Sequence, residues 1–323
     1  MGLAVFMVML LAGGLIWYSP YYCYRTIIRR KNIRRKSSPV RRGEETDPEP
    51  WLDTREYRRV SLRSFDGLNL NAYHVAAGGG AVSGDTVILA HGYRGDGKQL
   101  GGYARIFWET LGCNALLPDA RGYGHSGGDY TGFGWHERLD ILGWINWVTA
   151  HTVSQAAGPG VPVRIILFGV SMGASTMIMA SGENLPPEVK VVIADCGYTS
   201  LEDEVRYQMR RFYHIPAFFR EPLLKAAGAL TKKRAGYCFE EASAVNQVKK
   251  SRVPILFIHG DADTFVPVEM AHSLFEACPS EKELYLANGA GHGQARAVDP
   301  GEYERRIAGF VRKYMPGSPM ERL

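Results

Sequence analysis

From Glu56 onward the chain moves between two hydrophobic rhythms. RRVSLRS (Arg58 to Ser64) and LNLNAYHV (Leu68 to Val75) carry apolar side chains at about every second position and join through Asp66 and Gly67, which predicts a hairpin. Short, nearly unbroken apolar runs follow: TVILA (Thr86 to Ala90), CNALLPD (Cys113 to Asp119), VRIILFGV (Val163 to Val170), VKVVIAD (Val189 to Asp195) and VPILFIHG (Val253 to Gly260). Such runs are typical of parallel strands buried on both faces. Segments with apolar residues three or four apart separate them, notably ERLDILGWINWVTAH (Glu137 to His151) and EYERRIAGFVRKYM (Glu302 to Met315), which predicts helices. Strand and helix in alternation imply an α/β protein with a mostly parallel sheet and helices on both faces. The rhythm breaks once: more than fifty residues separate VKVVIAD from VPILFIHG, too many for one crossover. Two or three cap helices, within about residues 200–252, are expected after the strand that ends at Asp195.

Ahead of this alternation the pattern is different. The first 24 residues carry no charge, and their apolar run approaches the length that crosses a bilayer as a helix, with Trp17, Tyr18, Tyr21 and Tyr22 suited to the interface. Nine bases and no acid follow by residue 42 (Arg25, Arg29, Arg30, Lys31, Arg34, Arg35, Lys36, Arg41, Arg42), which predicts a single-pass anchor with the rest of the chain in the cytoplasm. The opposite arrangement, a cleavable signal peptide, would want its bases first. Residues 25–54 read as basic flank and linker, 55–316 as the folded domain and 317–323 as a tail. The net charge of +5 changes meaning once it is divided: beyond residue 42 there are 29 bases against 33 acids. The excess therefore points to anionic lipid headgroups as a partner and away from nucleic acid. Five scattered cysteines without a CxxC pair suit reduced thiols better than a disulfide framework or a zinc site.

Three glycine-rich stretches carry the chemistry. HGYRGDGKQ (His91 to Gln99) has the spacing of a phosphate-binding loop, but Gln99 stands where Ser or Thr would ligate magnesium. GYGHSG (Gly122 to Gly127) has dinucleotide-motif spacing, yet no helical pattern opens on it. ILFGVSMGAST (Ile166 to Thr176) is different, because its G-x-S-x-G lies between an apolar strand and a small-residue helix. That setting makes Ser171 the nucleophile of a strand-to-helix elbow. A serine needs a base, itself oriented by a third group. His292, on the glycine loop ANGAGHGQA downstream, is the candidate base; the other histidines precede the elbow or lie in a cap, a strand end or a helix. The acid is open among Asp263, Asp195 and Asp261.

In their order, His91-Gly92, DARGYGHSGG, the elbow, HGDADTFVP and the His292 loop resemble the landmarks of the α/β-hydrolase superfamily, over roughly residues 55–315. The likeness is to membrane-anchored serine hydrolases with short caps, related to prolyl-oligopeptidase-type catalytic domains. The resemblance implies an α/β-hydrolase fold, Asp263 as the acid, and backbone amides of Tyr93 and Met172 as the oxyanion hole. It also implies acyl transfer to water with no organic cofactor and no metal. A small-molecule or lipid ester is the expected substrate, from the anchor and from the cap's Phe212, Tyr213, Phe218 and Phe219 beside Arg210, Arg211 and Arg220. A serine peptidase and a non-catalytic membrane-tethered binding protein are the rival readings.

Overall fold

Eight strands, β1 (Arg58–Arg63), β2 (Asn69–Val75), β3 (Asp85–Ala90), β4 (Asn114–Pro118), β5 (Arg164–Val170), β6 (Val189–Asp195), β7 (Ile255–Gly260) and β8 (Lys282–Ala287), lie in one sheet in the order β1-β2-β4-β3-β5-β6-β7-β8. The computed structural model describes residues 19–30, 50–78, 83–152 and 162–316. β1 and β2 form the antiparallel hairpin, with Arg63 opposite Asn69, and β2 runs antiparallel to β4; every later pairing is parallel. This is the α/β-hydrolase arrangement. β1 is the edge strand, and its exposed Arg58, Arg59 and Arg63 protect its unpaired side from further strand pairing.

The apolar runs become interior strands because alternate side chains enter two different cores. Ile88, Leu116, Ile165 and Leu167 pack into one, while Val87, Leu89, Ala115, Leu117, Ile166 and Phe168 pack into the other. Helices α1 (Gly101–Arg105), α2 (Glu137–His151), α3 (Met172–Ser181), α4 (Leu201–Arg211), α5 (Ala217–Ala235), α6 (Ala244–Val248), α7 (Val268–Ala277), α8 (Ala295–Val298) and α9 (Pro300–Tyr314) complete the described fold. On α2, Ile141, Trp144, Ile145 and Val148 are buried at helical spacing. On α9 the buried set is Tyr303, Ile307, Phe310 and Val311, and the helix starts cleanly because Asp299 accepts from the Glu302 N–H and Pro300 occupies the first turn. α2 and α3 lie on one face of the sheet, α1 and α9 on the other.

The long interval holds three helices, and they divide. α4 packs on α5, and α5 on a single π-helical turn, Tyr24–Ile28, whereas α6 packs on α3 and α7 and so belongs to the layer covering the sheet. The cap proper is α4 and α5. At the N-terminal side the expected span lies outside the described residues apart from residues 19–24; among the described residues no helix is long and apolar enough to cross a membrane. Two parts of the expected flank and linker are packed. Trp51 and Leu52 are buried in one core, and Ile28 is fully buried in the other. Large apolar side chains in a polar stretch decided this, against the charge pattern around them.

β3 has β4 on one side and β5 on the other, so the chain reverses its direction of travel across the sheet there. A crevice forms at the carboxyl ends of strands at such a switch. Ala90 pairs with Gly169, which brings the loops after β3 and β5 to the same rim.

Candidate active site

Ser171 sits at the turn between β5 and α3 with φ 56° and ψ −117°, a backbone conformation that L residues rarely adopt. The flanking glycines permit it. A Cβ on Gly173 would lie 1.9 Å from the Ala90 carbonyl oxygen, and one on Gly169 would lie 2.3 Å from the Gly173 carbonyl carbon. The turn aims the hydroxyl out of the sheet edge, and its Oγ is 2.9 Å from Nε2 of His292. Nδ1 of His292 is in turn 2.7 Å from Oδ2 of Asp263. An ionised carboxylate only accepts, so Nδ1 carries the hydrogen and Nε2 presents its lone pair to the Ser171 hydroxyl.

The Asp263 side chain is fully enclosed. Burial alone would raise its carboxyl, but hydrogen bonds from His259 and His292, and from the Val266 N–H, outweigh that and hold it well below the usual carboxylate range. Its Oδ1 accepts from the N–H groups of Phe265 (2.8 Å) and Val266 (2.9 Å). The arrangement keeps a charge beside the imidazole. His259 is the partner that sequence reasoning passed over as a strand end. Its Nε2–H donates to the Val266 carbonyl (2.9 Å) and lies 3.4 Å from Asp263 Oδ2, so one carboxylate faces two imidazoles. Its place four residues before Asp263 at the end of β7 was the available signal. Phe265 was also missed; its ring lies 5.0 Å from that of His292 and screens one side of it.

The rival acids are elsewhere. Asp195 is fully buried and its Oδ2 accepts from the Tyr303 hydroxyl (2.8 Å); burial pushes its carboxyl up to about 6 despite that bond. Asp261 accepts from the Gly289 N–H at 2.7 Å, a turn contact below the His292 loop.

The first glycine-rich loop lies against the elbow: a Cβ on Gly92 would sit 3.6 Å from that of Ser171. Three of its amides are already engaged in turn contacts. Gly95 N–H donates to the Gly92 carbonyl, Gly97 N–H to Asp119 and Gln99 N–H to the Asp96 carbonyl. A phosphate cradle would need those donors free. Lys98 points away to Asp53 (2.6 Å). By contrast, among the described residues the N–H groups of Tyr93 and Met172 have no protein acceptor, and Met172 opens α3, where an unused N–H is expected. GYGHSG is likewise a turn organised by Asp119, whose carboxylate accepts from His125 N–H (2.7 Å). Arg121 beneath it is fully buried and paired with Asp140 (2.7 Å) and Asp66 (2.9 Å). Among the described residues no three His, Cys, Asp or Glu side chains stand together as a metal site would need.

Comparison with known proteins adds to this geometry. Residues 15–238 match the family described as X-Pro dipeptidyl-peptidase (S15 family); the matched stretch contains Ser171 and ends before Asp263 and His292. The Bacillus subtilis (strain 168) protein YqkD is 29% identical over 250 residues, 77% of each chain. Protein bem46 of Schizosaccharomyces pombe is 24% identical over 75% of this chain and 72% of its own. Among solved structures, an esterase of Pyrococcus furiosus superposes with a TM-score of 0.64 at 26% identity, over 86% of this chain and 97% of that one.

Proposed function

The chain belongs to the X-Pro dipeptidyl-peptidase (S15) family and is a serine hydrolase, and from that premise we propose that it cleaves carboxylic esters through Ser171, His292 and Asp263. The observation that carries the reading is the relay of 2.9 Å and 2.7 Å contacts from Ser171 through His292 to the buried Asp263 carboxylate. Ser171 attacks the ester carbonyl as His292 Nε2 takes its proton, and Asp263 stabilises the imidazolium without being protonated. The Tyr93 and Met172 N–H groups receive the developing oxyanion, a contribution of about 3 kcal/mol of barrier for each donor. Collapse expels the alcohol with the proton from His292, and water then repeats the sequence on the acyl-enzyme. Replacing Ser171 by Ala is expected to abolish both fluorophosphonate labelling and p-nitrophenyl ester turnover in a folded protein. Labelling that persists in that variant refutes the assignment.

We further propose a lipid-like ester, with the apolar segment ahead of residue 19 as a single-pass anchor, the bases of the flank other than Arg30 near lipid headgroups and the catalytic domain cytoplasmic. Support comes from the exposed rings of Phe212, Tyr213, Phe218 and Phe219 beside exposed Arg210 and Arg211, a combination suited to an anionic bilayer. Phe212 lies 6.3 Å from Phe265, which borders His292. The family description favours one second reading, a peptidase acting after proline. Rates on p-nitrophenyl esters of rising chain length, set against an X-Pro p-nitroanilide, separate the two; turnover confined to the anilide would replace the ester reading.

A further inference from the structure

Residues 19–30 dock directly behind the loop that carries the Tyr93 amide. Tyr24 and Ile28 are buried in the core, the Arg30 N–H donates to the Asp129 carbonyl (2.6 Å) and the Thr131 N–H to the Ile28 carbonyl (2.8 Å). This short pairing sets Arg30 against the site, whereas Arg25 and Arg29 stay exposed. The Arg30 guanidinium lies 4.7 Å from the centre of the Tyr93 ring and 3.9 Å from that of Tyr123. Its Nε–H donates to Thr131 Oγ1 at 2.9 Å, and it also bonds the Tyr123 hydroxyl. The Tyr93 hydroxyl donates to the Ile27 carbonyl (2.9 Å), and the Tyr93 ring stacks on Phe133 at 5.1 Å. Tyr93 is thus held by its ring and its hydroxyl. The next residue, Arg94, has a left-handed backbone (φ 67°), so the loop depends on outside contacts to keep its shape.

We propose that Arg30 is a positioning residue for acyl transfer: together with the Ile27 carbonyl it clamps the Tyr93 side chain and so keeps the Tyr93 N–H aimed at the oxyanion. The inference rests on the reading of Ser171 and Tyr93 given above. An oxyanion donor acts only within about 2.7–3.1 Å of the charge it meets, and a shift of about 1 Å can cost a hundredfold in rate. The start of the basic flank, which sequence alone assigned to lipid contact, is then part of the catalytic unit.

The test uses the full-length protein with p-nitrophenyl acetate and a short alkyl trifluoromethyl ketone, which forms a tetrahedral adduct on the nucleophile. Arg30→Ala is expected to lower kcat about ten- to a hundredfold, leave KM within about twofold and weaken the ketone by the same factor as kcat. Arg30→Lys keeps the cation but not the fork, and is expected to recover part of both. Tyr93→Phe removes only the hydroxyl and is expected to lose about three- to tenfold in kcat with the same parallel change in ketone affinity. If Arg30→Ala fails to fold, Tyr93→Phe decides. The proposal is overturned by kcat and ketone affinity within twofold of wild type, or by a loss fully accounted for by a smaller probe-titratable fraction. Ser171→Ala run alongside separates the two levels: if it keeps turnover, the nucleophile assignment fails, and if it is inactive while Arg30→Ala is normal, only the positioning role fails.

Discussion

Two buried carboxylates lie near the candidate base, and replacing each by its amide separates their roles. Asp263 Oδ2 is 2.7 Å from His292 Nδ1. When His292 takes the Ser171 proton, a cation forms beside that charge; at about 4 Å between charge centres and an effective dielectric near 20, the attraction is about 4 kcal/mol. That corresponds to roughly a thousandfold in rate, at about 1.4 kcal/mol per decade. Asn at 263 can also turn its NH2 toward Nδ1, which would leave the proton on Nε2 facing Ser171, the wrong tautomer. Together these predict a fall in kcat of about ten-thousandfold for Asp263→Asn, the scale such an exchange has in serine hydrolases. Asp195 is bonded to Tyr303 rather than to His292, so Asp195→Asn is expected to cost less than about tenfold. Its folded carboxyl is raised by burial to about 6, so the native state holds a proton that the unfolded chain releases, and stability falls as pH rises from about 4 to about 6. Asn removes that slope. Steady-state hydrolysis of p-nitrophenyl acetate at pH 8, with denaturation followed between pH 4 and 8, measures both effects. Equal losses from the two substitutions, or more than a tenth of wild-type activity in Asp263→Asn, would refute the assignment.

Gly173→Ala should destabilise by at least about 3 kcal/mol, because its methyl would lie 1.9 Å from the Ala90 carbonyl oxygen; an unchanged denaturation midpoint argues against the packed elbow. Burial pushes the Glu204 carboxyl up to about 8 although Gln208 donates to it, so wild-type stability should fall as pH rises from about 4.5 to 8 and Glu204→Gln should flatten that fall, as read from Tm at pH 6 and 9. Phe218→Ser combined with Phe219→Ser should leave hydrolysis of a soluble short ester unchanged and slow that of an ester carried in anionic vesicles, since both rings are exposed and pack on each other rather than on the relay from Ser171 to Asp263; equal rates on vesicles would remove the support they give to a lipid substrate.

What could be read from the sequence follows the range of the forces involved. Strand runs such as VKVVIAD and the helically spaced apolar residues of Glu137 to His151 are recovered at their observed limits, because a strand buried on both faces is apolar nearly throughout and a helix buries side chains three or four residues apart. Ser171 was legible for a local steric reason: only glycine fits at positions 169 and 173, and that need is written in adjacent letters. The contact between His292 and Asp263 needed more than local pattern, since two loops 29 residues apart must meet above the sheet, and only the resemblance of HGDADTFVP to a known order singled out one carboxylate. His259 and Arg30 show where pattern fails. His259 ends an apolar strand and looks like packing until the turn at Val266 brings Asp263 back beside it. Arg30 stands in a run of like charges, and composition treats such a run as one solvated patch. Its backbone, however, is carried inward by Ile28 and the pairing with Asp129, and a guanidinium so placed can trade water for the faces of Tyr93 and Tyr123 and a bond to Thr131. A single apolar residue two positions earlier therefore decided which of the three described bases, Arg25, Arg29 and Arg30, faces the protein, and a charge count cannot register that.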